Sequence, residues 1–86
     1  MTKLSIIIIN YNSSQLLKSC LNSIRENPPD SPYEVIVSDN GSQDDSLDMI
    51  KSEFPQVKLI ENQENLGFSK ATNKGIDASS GEYIFV

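Results

Sequence analysis

Ile6, Ile7, Ile8 and Ile9 stand in succession, after Leu4 and Ser5 and before the polar residues Asn10, Tyr11 and Asn12. A strand with one face in water alternates apolar and polar side chains, whereas a strand that is β-branched on both faces is covered on both. Residues 4–9 therefore predict a central strand of a parallel sheet, with helices above and below it. A capping serine, Ser13 or Ser14, is followed by Leu16, Leu17, Cys20, Leu21 and Ile24 at helical spacing, and Pro28 and Pro29 end that helix. Residues 33–38 predict a second apolar strand. The polar run of residues 39–46 then leads into a helix with an apolar stripe of Leu47, Ile50 and Phe54, Met49 beside it and Pro55 at its limit. Residues 57–61 predict a third strand and residues 62–67 a loop. Phe68, Ala71, Thr72, Gly75, Ile76 and Ala78 mark a third helix with small residues on its packing face, and residues 83–86 a fourth strand.

The order β-α-β-α-β-α-β, in units of roughly 25 to 30 residues, belongs to an α/β fold with an open parallel sheet, right-handed crossovers and strand order 3-2-1-4. Right-handed crossovers then put the first two helices on one face and the third alone on the other. That second face is under-covered, although the first two strands are apolar on both sides and a chain of 86 residues already has an unfavourable surface-to-volume ratio. The expectation is the N-terminal part of a longer domain, incomplete at its C-terminus, which by itself tends to form a homodimer or to associate through this face.

Composition narrows the function. With 37% apolar and 22% charged residues the chain has the balance of a folded domain. A net charge of −5 argues against nucleic acid, since phosphate binding needs a basic face. There is no histidine, so Ser-His-Asp and Cys-His nucleophile systems, His-ligated zinc and an imidazole base are excluded. Cys20 is the single cysteine, which rules out an intrachain disulfide, suits a reducing compartment and reads as a small core residue. The most apolar stretch, residues 6–9, falls far short of the ~18 residues of a membrane span, so the chain reads as soluble.

In open α/β sheets ligands bind at the carboxyl ends of the strands, beside the point where strand order reverses, here between the first and fourth strands. Asn10, Tyr11 and Asn12 leave the first strand, Asp39, Asn40, Gly41 and Ser42 the second, and Asn65, Leu66 and Gly67 follow the third. No Gly-x-Gly-x-x-Gly or P-loop pattern occurs, and a receiver-like phosphoacceptor site would want acidic residues where the first strand ends in Asn10 and Tyr11. An ionised Asp39 accepts hydrogen bonds and repels diphosphate, so its targets are neutral donors such as a pyrimidine N–H or a ribose hydroxyl. The competing role for Asp39 is an Asx-type turn before Asn40 and Gly41. Asp44 and Asp45 resemble a metal pair, but their place before a helix favours capping. Lys70 and Lys74 either offset ligand phosphate charge or only solvate their helix. Tyr11 borders a base or packs the strand top, and Gly67 provides a turn, a close approach for a ring, or both.

Three segments together, residues 8–12, 37–44 and 65–76, resemble the opening of family 2 glycosyltransferases, and the likeness covers essentially the whole chain. The resemblance implies a GT-A fold whose first half binds a nucleotide-sugar donor, UDP- or dTDP-linked, for transfer with inversion to a hydroxyl of a saccharide or lipid-linked acceptor. It places Asn10, Tyr11 and Asn12 around the nucleoside, Asp39 on the base or ribose, and Ser42 in support of the second loop. Gly67, Phe68, Ala71 and Asn73 fall on the family's nucleotide-bordering stretch. The Phe68 form of that stretch resembles members that build bacterial surface polysaccharides, which would work in the cytoplasm or at the inner face of the membrane. The family's Asp-x-Asp metal motif and catalytic base lie beyond residue 86, so the resemblance implies Mg or Mn held outside this span, no catalytic residue within it, and no transfer by these residues alone. The alternative is a non-catalytic nucleotide-binding or assembly module of the same architecture.

Overall fold

A computed structural model describes residues 2–81 and 83–85 of the chain. The elements are β1 (Leu4–Asn10), α1 (Ser14–Glu26), β2 (Tyr33–Asp39), α2 (Ser46–Glu53), β3 (Lys58–Glu61), α3 (Phe68–Ala78) and β4 (Tyr83–Phe85). All strand pairings are parallel and the sheet order is β3-β2-β1-β4, the order expected from the sequence. Val86, the expected last residue of the fourth strand, lies outside the described residues.

The register places Leu4 opposite Tyr33 and runs without interruption to Asn10 opposite Asp39. Both strands therefore end together, and their polar tips face each other across one ladder. On the first face, Leu17 and Leu21 of α1, Met49 and Ile50 of α2, and Phe54 pack on Val35 and Val37, with Ile6 and Ile8 partly buried against them. Alternate residues of the same strands point to the second face, where Ile7 and Ile36 are 2% and 0% exposed. Burying side chains of this size contributes about 1.5–3 kcal/mol each, which is why a run apolar on both faces selects the centre of the sheet.

α3 covers the second face by close approach. Ala71 is fully buried, and a Cβ added to Gly75 would stand 2.5 Å from Cγ2 of Ile7. The expected small-residue face is therefore real, but Phe68 and Ile76, assigned to it by spacing, are exposed. Two expectations for α1 are corrected as well. Cys20 is exposed and Leu16 is 75% exposed, because the sheet admits only a narrow stripe of α1, that of Leu17 and Leu21. Ser13 occupies the N-cap position without capping, its hydroxyl donating to the Tyr11 carbonyl instead. Among the described residues, no helix is long and apolar enough to cross a membrane.

Candidate functional site

The polar tips meet at the carboxyl ends of β1, β2 and β3. Asp39, the last residue of β2, is 1% exposed, and its carboxylate accepts three hydrogen bonds. Nδ2 of Asn10 donates to Oδ1 at 2.9 Å, the Ser42 hydroxyl to Oδ1 at 2.7 Å, and the Ser42 amide to Oδ2 at 2.8 Å. The last of these closes the turn through Asn40 and Gly41, so the turn role weighed for Asp39 is present. Gly41 has φ +81°, a conformation that favours glycine, and a Cβ there would crowd the Glu64 backbone at 3.1 Å.

Ser42 links this turn to the first loop. Its hydroxyl oxygen accepts from Nδ2 of Asn10 at 3.1 Å and from the Asn12 amide at 2.9 Å. Asn12, at φ 49°, returns the link, its Oδ1 accepting from the Gln43 amide at 2.7 Å. Asp44 then accepts from the Ser14 amide at 3.2 Å and the Ser46 amide at 3.0 Å, capping the starts of both helices on the first face. The Ser46 hydroxyl beside it, with the Ser46 and Ser14 amides, outweighs burial and holds the Asp44 carboxyl below its ordinary pKa. Asp44 thus serves both helix starts, while Asp45 holds the N-cap position of α2 without a side-chain cap bond, and among the described residues no group of three or more His, Cys, Asp or Glu side chains could hold a metal ion.

The third loop is tied in by residues whose roles were not legible beforehand. Asn40 is 3% exposed; its Oδ1 accepts from Nδ2 of Asn62 at 3.0 Å and its Nδ2 donates to the Gly67 carbonyl at 3.4 Å. Nδ2 of Asn62 also donates to the Ser38 hydroxyl at 2.9 Å. The available signal was the run of asparagines at the three strand ends, Asn10, Asn40 and Asn62: an amide both donates and accepts, so it can bridge loops that carboxylates could only receive from.

Seven of the nine candidate residues lie along this junction or on its rim. Asn10, Asp39 and Ser42 form the buried linkage, with Asn12 above it. Tyr11 and Phe68, 50% and 66% exposed, share with Ile7, Ile8 and Ile9 the lining of an open hollow of about 440 Å³. Gly67 begins α3 at φ +82°, with nothing within 4 Å of an added Cβ, so its backbone requires glycine and its surroundings are open. Two aromatic rings over an apolar floor suit a flat ring, and among the described residues no cation lines this hollow to meet phosphate charge. The remaining two candidates lie elsewhere. Ala71 is fully buried on the sheet-facing side of α3, and Asn73 borders a separate hollow of about 420 Å³ with Asn62, Leu66, Lys70, Lys74 and Asp77.

Comparison with known proteins agrees with this architecture. The family model described as glycosyl transferase family 2 matches residues 5–86. The chain is 41% identical over 78 residues to the SPbeta prophage-derived glycosyltransferase SunS of Bacillus subtilis, covering 91% of this chain and 18% of that protein. It is 39% identical over 87 residues to the poly(ribitol-phosphate) beta-glucosyltransferase of Bacillus spizizenii, covering 95% of this chain and 14% of that protein. The chain thus spans less than a fifth of the length of these curated relatives. Among solved structures, the mannosyltransferase PcManGT of Pyrobaculum calidifontis, in complex with GDP-Man and Mn2+, superposes with a TM-score of 0.82 at 27% identity, over 95% of this chain and 26% of that one. The sheet order and this superposition identify the GT-A fold. With the family model matching nearly its whole length, the chain belongs to glycosyl transferase family 2.

Proposed function

We propose that these residues form the donor-nucleotide cradle of an inverting glycosyltransferase that takes a UDP- or dTDP-sugar and transfers the sugar to a hydroxyl acceptor in surface polysaccharide synthesis. The observation that carries this reading is the hydrogen-bonded convergence of three strand tips beside the β1/β4 switch point, under an exposed Tyr11 and Phe68. Asn10, Asp39 and Ser42 hold the cradle's shape, and Tyr11, Phe68 and the Gly67 backbone present the surface on which a base lies. Asn12 ties the first loop to the second through Ser42 and Gln43. Ala71 contributes by letting α3 approach the sheet, and Asn73, with Lys70 and Lys74, lies on the far side of that helix from Phe68. The solved mannosyltransferase carries GDP-Man and Mn2+, which supports a nucleotide-sugar donor and a divalent ion for the family.

Among the described residues no acidic cluster fits a metal, and Asp44 is engaged by two helix-start amides. In this reading Mg or Mn is held by residues outside these 86. The catalytic base likewise lies elsewhere, and this span alone does not transfer sugar. The reading places the protein in the cytoplasm or at the inner face of the membrane, and pairs exposed Tyr83 and Ile84 with a second copy or further chain.

The test is a calorimetric or NMR titration with UDP, dTDP, GDP and NAD. Pyrimidine nucleotides should bind and perturb Tyr11, Asn12 and Gly67, whereas NAD should not. Tyr11→Ala, at a half-exposed position, should weaken binding by roughly tenfold or more, the loss expected of one good contact, and Asp39→Ala should weaken it by at least as much through release of the strand tips that it ties together. Equal binding of all four ligands, or of wild type and both variants, would overturn the assignment.

A further inference from the structure

At the opposite end of the strands a second polar cluster has no part in the cradle. Glu34 of β2 lies on the second face, its side chain 16% exposed. Oε2 accepts from the Ser5 hydroxyl of β1 at 2.6 Å, the Ser80 amide at 2.7 Å and the Ser80 hydroxyl at 3.0 Å. Oε1 lies 3.3 Å from Nζ of Lys58 on β3, and that ammonium also donates to the Ala78 carbonyl at the end of α3 at 3.0 Å. One carboxylate therefore joins three strands to the segment that connects α3 with β4. The docking is tight: the Gly81 amide donates to the Ser5 hydroxyl at 2.9 Å, and a Cβ on Gly81 would stand 2.6 Å from that oxygen and 2.8 Å from the Ser5 nitrogen.

Among the described residues, β4 has a single strand partner. It pairs with β1 over three residues, and Tyr83 and Ile84 are 62% and 43% exposed. We propose that Glu34 is a latch that seats the α3–β4 connection and thereby keeps β4 on the sheet, through contacts at the end of the strands remote from the cradle. Because β4 borders the switch point, opening the latch removes one wall of the cleft; that consequence rests on the function proposed above, whereas the latch itself does not.

Amide hydrogen exchange separates the two. Glu34→Gln keeps the shape but replaces one acceptor oxygen with a donor, leaving either Lys58 or the serine groups facing an N–H. The amides of Ser80, Gly81 and Tyr83, bonded to Glu34, Ser5 and the Lys3 carbonyl, should then exchange at least about tenfold faster, the factor expected for losing one charge-assisted bond. Those of Ile36 and Val37 in the sheet centre should stay near their wild-type rates. Ser80→Ala, which removes one donor and leaves the backbone intact, should show a smaller effect on the same amides and serves if Glu34→Gln does not fold. Unchanged exchange at the three amides in both variants, or equal acceleration across β1 and β2, would overturn the latch. Nucleotide titration of the same variants tests the cleft separately, since lost binding with an intact exchange pattern bears on the proposed function and not on Glu34.

Discussion

Asp39→Asn is the substitution whose outcome follows most directly from the geometry. The carboxylate accepts at both oxygens, from Asn10 and the Ser42 hydroxyl on one and from the Ser42 amide on the other. An amide has one accepting oxygen, and its NH2 must face either the Ser42 N–H or the two donors at the other position. At least one bond is lost and a donor is set against a donor at a site 1% exposed, where water cannot relieve it. Bonds to a charged acceptor contribute about 1.5–3 kcal/mol and a buried unsatisfied group costs about 1–3 kcal/mol, so the expected loss of stability is about 2–4 kcal/mol. For a domain of this size that lowers the melting temperature by about 10–30 °C in a calorimetric or circular dichroism scan. Ser42→Ala removes a donor to the same carboxylate, so the double variant should fall short of additivity by about 1 kcal/mol or more. A melting shift under about 4 °C for Asp39→Asn, or full additivity, would show that the strand tips are held by something other than this carboxylate.

Two further outcomes follow from packing and charge. Gly75→Ala puts a methyl 2.5 Å from Cγ2 of Ile7 and should destabilise by about 1–3 kcal/mol; Ile7→Ala in the same chain should relieve the clash, making the double variant more stable than the sum of the two, as measured by urea titration. At Glu34, burial opposes ionisation, but the Ser5 hydroxyl, the Ser80 amide and hydroxyl and Lys58 outweigh it and lower the pKa from 4.5 to about 2. A carboxyl that binds its proton more tightly when unfolded stabilises the fold above its unfolded pKa and loses that contribution as pH falls through the folded one. Stability of about 3 kcal/mol should therefore disappear between about pH 4.5 and 2. Glu34→Gln should flatten that limb of an unfolding free energy measured against pH, and an unchanged limb would refute the assignment.

Much of the fold was legible in advance because its strongest signals are periodic. Four successive isoleucines exclude a half-solvated strand, and three helical stripes between apolar runs leave few topologies beyond a parallel sheet ordered 3-2-1-4. Positions at the edges of stripes were read less well. Leu16, Cys20, Phe68 and Ile76 keep helical spacing but are exposed, since periodicity gives the direction of a side chain and not the reach of the surface it faces. Asp39 was identifiable as a strand-end carboxylate, but its burial was not, because that depends on Asn10 and Ser42 arriving from other segments.

By itself, then, the order of residues determined the element sequence, the sheet order and the set of polar strand ends, because local periodicity and the handedness of crossovers are properties of the chain as it runs. Only the tertiary structure decided which polar groups meet. The in-register ladder that sets Asn10 beside Asp39 and the crossover that delivers Ser80 and Gly81 to Glu34 and Ser5 join residues 29, 46 and 76 positions apart. Pairing over such separations is set by packing the whole sheet, and a hydrogen-bonding side chain carries no local mark of the partner it will find.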